Sequence, residues 1–226
     1  MSYFNLAIDG PAGAGKSTIA KRIARQLGFV YVDTGAMYRA MALYFLRHNI
    51  EATDADRIEA ACQNVDVTIE YKNGEQLVIL NGENVNGLIR TEEVGNMASA
   101  SSVNKAVRLK LVELQQNLAK KENVVMDGRD IGTYVLPNAD LKIYLTASTK
   151  ERARRRWEQL KGKGIEADMN DIEQDITQRD YRDMNREFAP LRQAEDAIYL
   201  DSSDLTIDEV VEKIISLYEK TCRYNE

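Results

Sequence analysis

The stretch Gly10-Pro11-Ala12-Gly13-Ala14-Gly15-Lys16-Ser17 constrains the chain more than any other feature, because of what lies on either side of it. Before it, Tyr3 to Ile8 is a short apolar-rich run that stops at Asp9; after it, Ile19, Ala20, Ile23, Ala24 and Leu27 recur with helical spacing. Strand, glycine-rich turn and helix in that order satisfy GxxxxGK[ST], the phosphate-binding P-loop. Glycines let successive backbone N–H groups turn inward, and the helix N-terminus adds partial positive charge where a phosphate would sit. Residues Gly10 to Thr18 are therefore the expected cradle for a nucleoside triphosphate. Lys16 is expected to reach its β- and γ-phosphates, and the Ser17 hydroxyl to serve Mg²⁺, which prefers oxygen ligands.

Beyond the loop, strands and helices keep alternating, which predicts an α/β fold with a parallel sheet. Phe29 to Val32 reads as a second strand, and Thr34 as the cap of a helix carrying Met37, Ala40, Met41, Tyr44 and Phe45. The pattern then changes. Val65, Val67 and Ile69 alternate with polar residues, Lys72-Asn73-Gly74-Glu75 supplies a turn, and Leu77 to Leu80 forms a second run. This antiparallel hairpin is foreign to a parallel sheet, so residues 65–90 are read as the β-rich part of an insert whose helical flank extends to about 105. Residues 1–64 and 91–226 form the core.

Thr91 opens a helical region expected to run to about Lys121. Val124 to Met126, Leu141 to Leu145 and Ile198 to Leu200 are the remaining core strands. Ser148 opens a basic helix with Arg152, Arg154, Arg155 and Arg156, and Lys161-Gly162-Lys163-Gly164 interrupts it. Residues at about 150–170 fit a mobile lid, although a charge run of this kind also reads as a solvated surface. A second charged helix is expected from about Asp168 to Phe188. Thr206-Ile207-Asp208-Glu209 is a capping box for a C-terminal helix.

Composition narrows the classes of partner. With 30 Lys and Arg against 36 Asp and Glu, the formal charge is -6, which argues against a binder of nucleic acid polymers. Cys62 and Cys222 lie far apart and outside any CxxC pattern, so both are expected as free thiols. The N-terminal segment beginning Met1-Ser2 has neither a basic n-region nor a long apolar run; no signal peptide or membrane span is expected, and cytoplasmic residence is the default. His48, the single histidine, lies near a helix end and reads as structural.

A P-loop alone does not distinguish a switch, a motor and a small kinase. Asp33-Thr34-Gly35-Ala36-Met37-Tyr38-Arg39 puts a hydroxyl and an arginine at the carboxyl end of the second strand, where ligands of open α/β sheets gather. Asp127-Gly128-Arg129-Asp130 does the same after the third. Arg39 and Arg129 can thus converge on one phosphate dianion. Arg179, Asp183 and Arg186, at offsets of four and seven, share a helical face, which on spacing alone reads equally as a solvated ion-pair surface.

These four segments, the P-loop, Asp33 to Arg39, Asp127 to Asp130 and Arg179 to Arg186, together resemble the bacterial cytidylate kinase family, and the likeness runs through nearly the whole chain. The resemblance implies a nucleoside-monophosphate-kinase fold: a P-loop NTPase core of five parallel strands with helices on both faces, a helical lid, and an enlarged monophosphate-binding insert with a small antiparallel sheet. It implies ATP and Mg²⁺ as co-substrate and metal, and CMP or dCMP as acceptor, on a monomer. It assigns the acceptor phosphate to Arg39 and Arg129, the cytosine to Thr34, Arg108, Asp130 and Arg186, and the sugar to Ser99, Arg179 and Asp183. Tyr38 and Asp127 complete that pocket, though spacing alone makes Tyr38 a core residue. Thr34 keeps a hydroxyl where serine is the alternative; Ser17 stands where some relatives have glycine, so the metal contact remains open between Ser17 and Thr18. Charge on the transferring group is expected to be met by Lys16, Arg129 and lid arginines, of which Arg152 and Arg156, four apart, share a face. Another small kinase acting on UMP, AMP or shikimate is the nearest alternative, and a non-catalytic nucleotide switch a more distant one.

Overall fold

The structure, a computed structural model, describes residues 3–72 and 74–224; Met1, Ser2 and Asn73 of the expected hairpin turn lie outside the described residues. β1 (Asn5–Asp9) leads through the P-loop into α1 (Lys16–Leu27), and β2 (Val30–Asp33) leads into α2 (Thr34–Arg47), followed by α3 (Ala55–Asn64). Next come β3 (Val67–Lys72), β4 (Glu75–Leu80) and β5 (Glu83–Asn84), then α4 (Glu92–Ser101) and α5 (Lys105–Ala119). β6 (Val124–Gly128), a π turn at Ile131–Val135, β7 (Leu141–Thr146), α6 (Thr149–Lys161), α7 (Met169–Asn185), β8 (Ile198–Asp201) and α8 (Ile207–Tyr224) complete the chain.

The five expected core strands form one parallel sheet in the order β2-β6-β1-β7-β8, and β3, β4 and β5 form a separate antiparallel sheet. Side chains alternate across a strand, so neighbouring residues feed different layers. Leu6 and Ile8 of β1 join Val125, Leu141, Ile143 and Leu145 beneath α1 and α8. Ala7, between them, joins Val32, Val124 and Met126 on the other face, under α2, α5 and the small sheet. The central strands β6 and β1 are therefore buried between two layers, while the edge strand β8 keeps Ile198 and Tyr199 exposed; ligands of such sheets gather at the carboxyl ends of the strands. A smaller cluster of Ala153, Ile172 and Ile176 with Trp157 and Leu160 joins α6 to α7.

Three local expectations change. Asp33, not Thr34, caps α2: its Oδ1 accepts from Ala36 N at 2.9 Å, which frees the Thr34 hydroxyl to donate to Asp127 O at 2.7 Å. The helix expected from Thr91 to Lys121 is two helices. Asn104 caps the second by accepting from Ala106 N, and Ser102 Oγ donates back to Ser99 O, so polar side chains compete locally with the helical ladder. α7 ends at Asn185 instead of Phe188, and Arg186 leaves it in an extended conformation (φ −65°, ψ 143°). Cys62 and Cys222 are both free, and no described helix is long and apolar enough to cross a membrane.

Candidate active site

The glycine-rich loop begins where β1 ends. Gly10 has φ 147°, and a Cβ there would lie 1.9 Å from the Leu145 carbonyl oxygen of β7, so only glycine lets the loop leave the sheet at this point. Gly13 is confined less severely: at φ 76° a Cβ would come 3.2 Å from Arg152 Cβ, because the first turn of α6 lies against the loop. Lys16 is buried and donates to Pro11 O at 2.7 Å. Burial and the neighbouring Arg129 push its pKa well below the usual lysine range. Lys16 of the loop and Arg129 beyond β6 thus lie within electrostatic reach of each other, an arrangement that an anion between them relieves.

The family resemblance puts Asp127 in the acceptor pocket; its carboxylate faces the loop and β2. Oδ2 accepts from Ser17 Oγ and Oδ1 from Tyr31 OH, each at 2.8 Å. Burial and Asp33 raise its pKa, while Lys16, Ser17 and Tyr31 pull the other way. Asp9, also buried, accepts from Ile131 N and Gly132 N at 2.8 and 2.7 Å, tying β1 to the turn behind Asp130. Burial pushes its carboxyl up to about 7 in spite of those bonds.

The residues expected to meet the acceptor gather at the ends of β2 and β6 and along α7. Arg129 Nε donates to Asp183 Oδ2 at 2.9 Å; burial opposes the arginine's charge, but Asp183 outweighs it and holds the pKa above the ordinary value. Burial equally opposes the charge on Asp183, which Arg129, Arg179 and Arg186 keep ionised to below the usual carboxylate range. Arg39 Nη2 lies 3.3 Å from Asp33 Oδ2, an oxygen that Arg90 shares at the same distance. Arg179 is pushed down to about 10 by burial and by Arg129 and Arg39. Arg39 Nε and Arg179 Nε are buried with no hydrogen-bond partner among the described residues.

Deeper in, Asp130 sits between two arginines. Arg108 Nη2 bonds its Oδ2, and Arg186 Nη2 donates to its Oδ1 at 3.2 Å; all three side chains are almost fully buried. The Arg108 guanidinium lies 5.4 Å over the Tyr38 ring, so Tyr38 acts as its cation–π floor, and the Arg108 Nε has no partner among the described residues. Arg108 Nη1 donates to Ser102 O, one turn beyond Ser99, whose buried Oγ is likewise unpartnered. Thr34 sits at the end of the same strand, where a Cβ on Gly128 would come 3.0 Å from its hydroxyl.

Among the basic residues of α6, Arg152 and Arg156 separate. Arg152 is buried, donating to Ala12 O at 2.9 Å and pairing with Asp180 Oδ2, while Asp180 Oδ1 accepts from Ala12 N at 3.0 Å. Arg155 donates to Ser202 O and comes near Gly15. Arg154 and Arg156 are exposed and bond Glu151, Glu158 and Gln159 of their own helix. Sequence reasoning missed Asp180, Tyr31, Asp33 and Arg90. Asp180 lies inside a segment read for its arginine face, but the loop it holds is 168 residues away.

Residues 6–220 match the family model described as cytidylate kinase. The chain belongs to the cytidylate kinase family. It is 54% identical over 220 residues to a cytidylate kinase of Caldicellulosiruptor saccharolyticus, covering 97% of each chain. It is 49% identical over 215 residues to one of Lactobacillus johnsonii, covering 95% of this chain and 94% of that one. The fold also matches the crystal structure of shikimate kinase from Bacteroides thetaiotaomicron, with a TM-score of 0.50 and 16% identity over 96% and 98% of the two chains. At that identity the likeness concerns the P-loop kinase fold alone.

Proposed function

We propose that the protein transfers the γ-phosphoryl group of ATP to CMP or dCMP, giving ADP and CDP or dCDP. The observation that carries this reading is the buried Asp130 carboxylate held between Arg108 and Arg186. Ionised, it only accepts, and so suits the cytosine amino group; the free Arg108 Nε can donate to ring N3 or the carbonyl. Uracil reverses the amino group and N3, presenting an oxygen to the carboxylate and an N–H to the arginine. Arg39 and Arg129 would grip the acceptor phosphate, with Ser99, Arg179 and Asp183 toward the sugar.

The acceptor phosphate oxygen is already ionised, so it attacks without a general base, and catalysis rests on positioning and charge. Lys16 and Arg152 stand at the donor loop, Arg129 between the two substrates; the exposed Arg156 would join them only through movement of α6. Closure of the α6–α7 hairpin would exclude water and so prevent hydrolysis of ATP. The residues present also fit Mg²⁺. Ser17 hydroxyl and Asp127 carboxylate are oxygen donors already in contact at the loop, and among the described residues no cluster of three or more metal-ligating side chains competes with them. So small a donor set suits a metal that leans on phosphate oxygens and water. When bound, it neutralises charge on the β- and γ-phosphates.

A coupled ADP-release assay across all ribo- and deoxyribonucleoside monophosphates, with shikimate included, tests the reading. Turnover should be high for CMP and dCMP and low for UMP, AMP and shikimate. Preference for another acceptor, or no acceptor-dependent ADP at all, would overturn it.

A further inference from the structure

Asp127 spends its carboxylate in two directions, and only one of them belongs to the donor loop. Ser17 holds Oδ2. The other oxygen accepts from Tyr31 OH at 2.8 Å, across 96 residues of sequence. An ionised carboxylate only accepts, so the phenol must be the donor in this bond. Tyr31 is itself fixed at both ends. Its side chain packs against the core cluster that includes Ile19, Ile23 and Val125, with Lys21 Nζ 5.5 Å from the ring centre, and its backbone oxygen accepts from Tyr71 OH of the small sheet at 3.1 Å. Parallel pairing of β2 with β6 sets Tyr31 beside Val125, two residues before Asp127, so the phenol reaches along the sheet to the carboxylate. The carboxylate therefore cannot turn away from Ser17 without abandoning a bond made by a side chain that is held in place.

We propose that Tyr31 is a positioning residue for the metal site: it fixes the Asp127 carboxylate so that Asp127 and Ser17 present their oxygens to Mg²⁺ together. The inference rests on the assignment of Mg²⁺ to Ser17 and Asp127 and adds to it the group that orients the carboxylate. Outer partners of ligating carboxylates act in this way, and their loss weakens metal affinity by about 10- to 100-fold. Nothing in this role touches ATP itself, so the effect is confined to the metal.

Tyr31→Phe removes the donor and keeps the ring that fills the core. The test is calorimetric titration of ATP into the protein, once with saturating Mg²⁺ and once with chelator, beside the Mg²⁺ dependence of turnover with CMP. For Tyr31→Phe, metal-free ATP affinity should stay within about twofold, while the gain in affinity that Mg²⁺ confers falls by about tenfold or more. The Mg²⁺ concentration for half-maximal turnover should rise by a similar factor, with thermal unfolding little changed. Asp127→Asn serves as the reference for the site. If Asp127→Asn shifts the Mg²⁺ dependence and Tyr31→Phe does not, the role of Tyr31 is refuted while the metal site stands. If neither shifts it, the metal assignment fails first. Equal losses of ATP affinity with and without metal would show that Tyr31 merely shapes the donor loop, and would also overturn the proposal.

Discussion

Replacing Asp180 with alanine should destabilise the protein far more than an exposed ion pair could. The Asp180 and Arg152 side chains are only 10% and 7% exposed, and the same carboxylate accepts from Ala12 N. Removing one partner of a buried pair leaves the other charge desolvated and uncompensated, at a cost of about 3–5 kcal/mol. For a chain of this size each kcal/mol lowers Tm by about 2–4 °C, so a fall of about 6–20 °C is expected. The double variant Asp180→Ala/Arg152→Met removes the orphaned charge as well and should recover most of that loss, since apolar replacement of a buried pair is often neutral. Its kcat should nevertheless stay low, because the arginine at the donor loop is gone. Urea unfolding and steady-state kinetics on wild type, both single variants and the double variant read these effects separately. A single-variant loss below about 1 kcal/mol, the range of exposed pairs, would refute the buried clasp. Full kcat in the stable double variant would remove Arg152 from catalysis.

Lys16→Ala should cut kcat by about 10²- to 10³-fold, the usual cost of losing one charge-stabilising donor, while CMP binding measured by calorimetry persists; near-normal turnover would contradict the role of the loop. Arg129→Lys should lower kcat/KM by about 10- to 100-fold for every accepted monophosphate, because a point ammonium cannot reproduce the guanidinium fork. A change confined to base preference would move Arg129 from the phosphate to the base. Asp9 predicts a pH effect on stability. Its carboxyl binds a proton up to about pH 7 when folded but only to about 3.8 when unfolded, so its contribution is complete below about pH 4 and is lost as pH rises to about 7. Asp9→Asn should flatten that slope, so the variant gains on wild type between pH 5 and pH 8 in urea unfolding; parallel curves would contradict it.

What the sequence reveals here follows the reach of each signal. The P-loop is legible because its chemistry is written in consecutive residues between a strand and a helix. Arg39 and Arg129 are legible because parallel strands bring their carboxyl ends to one edge, wherever they stand in the order. The strand order is not legible, since five short apolar runs look alike in sequence, even though β8 lies exposed at the edge. Nor are the partners: Arg152 meets Asp180 across 28 residues, Arg90 meets Asp33 across 57 and Tyr31 meets Asp127 across 96. Each is an ordinary residue type whose role exists only once the sheet is assembled. The break at Ser102 to Asn104 was signalled by an asparagine able to cap, but the apolar spacing on both sides concealed it.

The base-reading site is the centre of the account, and the ratio of kcat/KM for CMP over UMP, measured for wild type and Asp130→Asn, tests it most directly. Asp130 is 4% exposed and held by two arginines, so discrimination built on buried polar complementarity can reach about 10⁴-fold. The amide of the variant offers uracil O4 an N–H while losing its hold on one guanidinium, so CMP efficiency should fall and the ratio should narrow. An unchanged ratio would mean that Asp130 does not read the base.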